Sequence, residues 1–111
     1  MNARETNIIL RQKARTELTA LRRKLLSKSQ QYVLDHAKEY AMKADIVMLI
    51  NKTEFSLEEA RAMLTKPKLL DAIFKEFNKE SSNNMDALAS FMKRKSVLFA
   101  AEYLDRVNGA G

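Results

Sequence analysis

The sequence predicts an all-α protein, a four- or five-helix bundle with a basic amphipathic helix at its N-terminus. Three observations carry this. Apolar residues recur at helical spacing through every long segment, no segment alternates for long at period two, and Leu and Ala are plentiful while β-branched residues are thinly scattered. At 111 residues, with 46% apolar and 31% charged residues, the chain fits one domain with enough apolar content for a core. Residues 1–28 form the basic N-terminal helix and residues 29–108 a compact helical unit.

The first helix is expected over about residues 4–26, with Leu10, Ala14, Leu18, Leu21 and Leu25 on one face. Ser27-Lys28-Ser29 breaks it, and Ser29 caps the next. That second helix, about residues 30–43, presents Val33, Ala37, Tyr40 and Ala44. It either continues into the apolar run Ile46–Ile50 or bends before it at Lys43–Asp45. Asn51 to Phe55 reads as a loop. Ser56 and Glu59 then form a capping box, each side chain accepting from the other's backbone N–H, and open a helix over about 57–64. Thr65-Lys66-Pro67 ends it and places proline in the first turn of a helix over about 67–78, which buries Leu70, Ile73, Phe74 and Phe77. The polar run Asn78–Asn84 is the longest loop, with Ser82 or Asn83 as the cap of a last helix over about 85–107 that stops at Asn108-Gly109. Met48, Met63, Met85 and Met92 fall at core-facing positions and read as gap-filling core.

Several kinds of chemistry are excluded by composition. Glycine is absent from the first 108 residues, so no phosphate-binding loop, dinucleotide fingerprint or glycine-framed oxyanion nest is available. Cysteine is absent, which removes disulfides, thiolate metal sites and thiol nucleophiles. The longest apolar runs, Ile46–Ile50 and Val97–Ala101, fall far short of a membrane span, and the N-terminal region offers only Ile8, Ile9 and Leu10 in place of an export signal. A soluble, cytoplasmic protein with no membrane role is expected. His36 is the one histidine. Asp35, Glu39 and Tyr40 lie near it, but metal sites and catalytic bases need several convergent groups, and a lone histidine on a helix flank reads as packed or hydrogen-bonded. Serines and threonines lack an activating partner. No enzyme, metal or cofactor is expected.

What remains is charge. The formal net charge is +6, and all of it belongs to residues 1–28, where eight basic side chains face only Glu5 and Glu17; the rest of the chain is balanced. Arg4, Arg11, Arg15 and Arg22 fall within about 40° of one another on a helical wheel and span roughly 27 Å. None has an acid three or four positions away. The arginine fork suits phosphate or carboxylate. The row reads either as a stripe for a phosphate backbone or acidic groove, or as a face solvated or paired with acids of the other helices. Arg23 and Lys24 extend it, and Lys93-Arg94-Lys95 makes a second basic spot that gains meaning only if the fold sets it beside the row. Residues 44–64 admit a helix–turn–helix reading, but Glu58 and Glu59 would stand where base contacts are made, and capping explains them more simply.

The runs Tyr32–Tyr40 and Lys43–Met48, then Ser56–Leu64, Leu70–Phe77 and Met85-Asp86, resemble a small all-helical domain-of-unknown-function family carried by bacterial phage-like and conjugative elements. The resemblance covers about residues 31–95. It implies a mobile-element context, in which small proteins often regulate the element's own DNA or block host defence. The expected function is therefore non-enzymatic: a stoichiometric, anti-CRISPR-like inhibitor of a host defence nuclease or ribonucleoprotein. Arg11, Arg15 and Arg22 would grip an acidic or nucleic-acid-occupied surface. The alternative is a DNA- or RNA-binding accessory protein contacting phosphates through the row. A third class is a homodimer using the Leu10–Leu25 stripe as its seam.

Overall fold

A computed structural model describes residues 1–79 and 84–109. Its N-terminus begins with a cap. The Asn2 side chain accepts from the Glu5 N–H at 2.9 Å and starts α1, Ala3–Leu26. The later helices are α2 (Gln30–Asp35), α3 (Ala37–Lys52), α4 (Leu57–Leu64), α5 (Leu69–Phe77) and α6 (Met85–Gly109). The described residues thus form six helices and no strand, one helix more than the spacing predicts. No helix among them is long and apolar enough to cross a membrane.

The extra helix comes from a break at His36. Ser29 caps α2 as expected, accepting from Tyr32 N–H at 3.2 Å. Two turns later the His36 ring stacks on Tyr32, centroids 4.0 Å apart, and its Nδ1–H donates to the Tyr32 carbonyl at 2.8 Å. A side chain that bonds locally to backbone competes with the helix ladder, and His36 ends α2 while beginning α3. The break re-phases the helix after it. The buried face of α3 is Met42, Lys43, Ile46, Val47 and Ile50, in place of the expected continuation from Val33 through Ala37, Tyr40 and Ala44. No bend occurs at Lys43–Asp45, and α3 runs on through Asn51 and Lys52.

Layering is simple. α1 packs on α3 and α4, α4 lies between α1 and α6, and α5 closes the bundle against α3 and the middle of α1. The core joins Leu10 and Ala14 to Ile46, Ile50, Ala60, Met63, Leu69, Ile73, Phe77, Leu88 and Met92, among others. Of the four methionines expected inside, Met63 and Met92 are buried but Met48 and Met85 are exposed, and Met42 fills the core instead. Leu18 packs at the core's margin and Leu21 is half-buried, so the leucine stripe faces the chain's own helices over most of its length.

Two caps differ from expectation. α5 starts at Leu69, not at Pro67. Lys68 at its N-cap position offers no side-chain bond, and the Glu17 carboxylate reaches over from α1 to accept the N–H groups of Leu69 at 3.1 Å and Leu70 at 2.8 Å. A carboxylate at a helix N-terminus satisfies orphan donors and opposes the helix dipole. α6 is capped by Asn84, whose Oδ1 accepts from Ala87 N–H at 2.8 Å; the two cap residues expected from sequence, Ser82 and Asn83, lie outside the described residues. The α4 capping box forms as read, with Ser56 and Glu59 exchanging bonds of 3.0 and 3.1 Å.

Polar side chains fix the helices against one another. Asn7, 1% exposed, donates to the Phe55 carbonyl at 2.9 Å and accepts from Phe55 N–H at 3.0 Å, clamping the α3–α4 loop to α1. Lys43, 5% exposed, pairs with Glu39 one turn before it at 2.7 Å and with Asp71 of α5. Burial by itself would lower the lysine's pKa, but the two carboxylates outweigh it and the net displacement is upward. The hydrogen bond from Lys43 holds the Asp71 carboxyl below the ordinary range.

Candidate functional site

α1 is the element on which the chain's excess charge sits, and its geometry sorts that charge into two groups. The apolar stripe turns toward α3, α4 and α5, so residues about 80° away on the wheel fall at the edge of the packed face. Arg11 lies on the inward side of the arginine row and is drawn into the fold. Its guanidinium donates to Glu54 at 2.7 Å and to the Thr53 carbonyl at 3.2 Å, both on the loop that Asn7 clamps. The Arg11 Nε–H is buried without a partner among the described residues. Arg11 is therefore a tie between α1 and the α3–α4 loop, neutralised by an acid 43 positions away.

Arg4, Arg15 and Arg22 keep to the outer side. All three are exposed, and none makes an ion pair among the described residues. They stand along one line, 11 and then 7 residues apart, with exposed Ile8, Gln12 and Thr19 beside them. Arg23 and Lys24 are exposed as well, Arg23 on the flank of the row and Lys24 on the side facing Glu39 and Lys43. Of the two acids that could offset this charge, Glu17 is held by Lys13 at 3.1 Å and by the α5 cap. Only Glu5 stays outside any ion pair on the helix surface among the described residues. The outer face of α1 is thus a cationic strip some 27 Å long, set on a rigid helix and unbalanced by its own fold.

The second basic spot does not join this strip. Lys93 and Arg94 are exposed on α6, and α4 separates α6 from α1. Lys93 lines a cavity of about 390 Å³ together with Glu54, Phe55, Glu59 and Ser96, while Lys95 lies over the Phe99 ring at 5.0 Å. In that cavity Ser96 donates to Glu59 at 2.7 Å. Burial tends to raise the Glu59 carboxyl, but bonds from the Ser56 backbone and from the Ser96 and Ser56 hydroxyls outweigh it and hold it lower than usual.

α4, the would-be reading helix, buries Ala60, Ala62 and Met63 between its neighbours and exposes Glu58 and Arg61. It presents no face suited to a groove. His36 is engaged with Tyr32, and no group of three or more His, Cys, Asp or Glu able to hold a metal occurs among the described residues.

Sequence reasoning missed Asn7, Glu17 and Glu54 as organisers of this face. The signals were weak: an Asn inside a helix pattern, and two acids whose partners lie more than 40 residues away. Searches of curated proteins and of solved structures return no match. A family model does match, over residues 6–105, a span that takes in nearly all of α1 as well as the helices behind it. The chain therefore belongs to the family described as protein of unknown function (DUF3848).

Proposed function

We propose that this protein is a non-enzymatic binding protein that lies along a nucleic-acid phosphate backbone with the outer face of α1. The observation that carries the reading is the line of Arg4, Arg15 and Arg22, exposed and without acid partners, beside an Arg11 that the fold neutralises. Cations set along one line suit an extended anion better than a single carboxylate, and guanidinium forks grip phosphate oxygens in pairs. The face carries Gln12, Thr16 and Thr19 near the arginines, polar side chains that suit contacts to a phosphate backbone.

A second reading keeps the same face and changes the owner of the phosphates. In it the protein comes from a phage-like or conjugative element and acts as an anti-CRISPR-like stoichiometric inhibitor of a host defence nuclease or ribonucleoprotein in the cytoplasm. One observation favours a protein component in the partner: the row ends beside Leu26 and Leu34, which are large, apolar and exposed.

Fluorescence anisotropy with short labelled duplex DNA and single-stranded RNA at about 50 mM salt tests the first reading. Binding of either, weakened as salt rises, is expected. Absence of binding to both refutes direct nucleic-acid docking and leaves the second reading to co-purification with defence complexes.

A further inference from the structure

The end of α1 and the whole of α2 form a corner with its own chemistry. α2 buries none of its residues. Leu25 is buried, yet it stands apart from the main core cluster. Together with Leu26, Val33 and Leu34 it lines a groove of about 450 Å³, with Lys28 and Gln30 on its rim. Leu26 is 73% exposed and Leu34 69%, the two most exposed leucines of the chain. Arg22, Arg23 and Lys24 lie within one turn on the α1 side, all exposed. The one acid of α2, Asp35, accepts from Gln31 at 2.9 Å.

From this juxtaposition we infer that the α1–α2 corner is a docking groove for an acidic peptide segment of a partner protein, one that places aliphatic or aromatic side chains against Leu25, Leu26, Val33 and Leu34 and its carboxylates on Arg22, Arg23 and Lys28. Charge complementarity selects the occupant. A second copy of the chain would set four cations of one corner against four of another with only Asp35 to relieve them. Phosphates alone have no use for exposed leucines. A lipid surface needs a broad apolar helix face, whereas the α1 surface leading to the groove is Arg15, Thr16, Thr19, Arg22 and Arg23. A concave apolar notch with a basic rim is the form in which short acidic, apolar-anchored segments are held. The inference shares Arg22 with the phosphate strip, but it rests on Leu26 and Leu34, which the phosphate reading does not use.

A random peptide library displayed on phage, selected on the full chain, tests it. Enriched peptides are expected to be rich in Asp and Glu around an apolar pair. They should lose at least about tenfold in affinity for a Leu26→Ser/Leu34→Ser variant, whose exposed positions leave the helical circular dichroism unchanged. An Arg22→Ala/Lys28→Ala variant should weaken the same peptides and flatten their salt dependence. The inference is overturned if no peptides are enriched, if those enriched are not acidic, or if they bind the leucine variant equally well. It is also overturned if the leucine substitutions instead abolish binding to phosphatidylserine vesicles or convert a dimer to a monomer in sedimentation. Nucleic-acid binding measured on the leucine variant separates the two proposals, because the arginine strip is intact there.

Discussion

Replacing Asn7 by Ala tests whether the face of α1 is organised by the clamp on the α3–α4 loop. The side chain satisfies both backbone groups of Phe55, donating to its carbonyl at 2.9 Å and accepting from its N–H at 3.0 Å, at a site almost closed to solvent. Alanine leaves both groups buried and unpaired, a penalty of about 1–3 kcal/mol each. Part of this is offset, because Ala is the better helix former by roughly 0.6 kcal/mol. A net loss of about 1.5–5 kcal/mol results, and a domain of this size should melt about 6–22 °C lower. Urea and thermal unfolding followed by circular dichroism at 222 nm read it directly. An Asn51→Ala control, exposed on α3, should move stability by no more than about 0.5 kcal/mol. A loss for Asn7→Ala as small as the control's would refute the argument that this pair of bonds holds the loop, and with it the account of how Arg11 is positioned against Glu54.

Three further outcomes rest on the same geometry. Glu54→Gln removes the charge that neutralises Arg11, so nucleic-acid affinity should rise and the log–log salt slope should steepen by up to about one contact's worth, roughly 0.9, on duplex DNA. Glu17→Ala strips the acceptor from two N–H groups at the start of α5; a loss of about 1–2 kcal/mol is expected, with faster hydrogen exchange at the Leu69 and Leu70 amides. The contributions of Asp71, Glu59 and Lys43 to stability should be flat from about pH 5 to 10. Asp71 and Glu59 sit below their ordinary values of 3.8 and 4.5, so their contributions hold above those values and are lost as acid protonates them in the folded state. Lys43 sits above 10.5, so its contribution is complete below that pH and is lost only as the folded-state lysine deprotonates. In urea midpoints against pH, Lys43→Met should shrink the acid limb. An unchanged limb would show that the lysine does not hold Asp71 down.

Helical class, the α4 capping box and the buried face of α5 were legible because each depends on residues a few positions apart. Ser56 and Glu59 announce their own bonds, and Leu70, Ile73 and Phe77 share a face whatever packs on them. The break at His36 was not legible, since nothing in the spacing shows that its ring will bond to Tyr32, and missing it put the inferred face on Tyr40 and Ala44 where the buried face is Met42 and Ile46. The start of α5 was misplaced for a related reason. Pro67 is a local signal, but the true cap is a carboxylate on α1, and no local pattern ties residue 17 to residue 69. The arginine row was visible as a row, since helical angle alone determines it. Which of its members is neutralised depends on a loop about 40 residues on, and only packing shows that Arg11 turns inward to Glu54 while Arg4, Arg15 and Arg22 stay outside.

The central claim is that these three outward arginines meet phosphates as a set. The most direct measurement is the salt dependence of duplex-DNA affinity for the wild-type chain and an Arg4→Ala/Arg15→Ala/Arg22→Ala variant, whose exposed positions leave the fold intact. With each arginine on one phosphate, the slope of log affinity against log salt should be shallower in the variant by about 2.7. Equal slopes would contradict the account, and would place the chain's phosphate contacts, if it makes any, on some surface other than the outer face of α1.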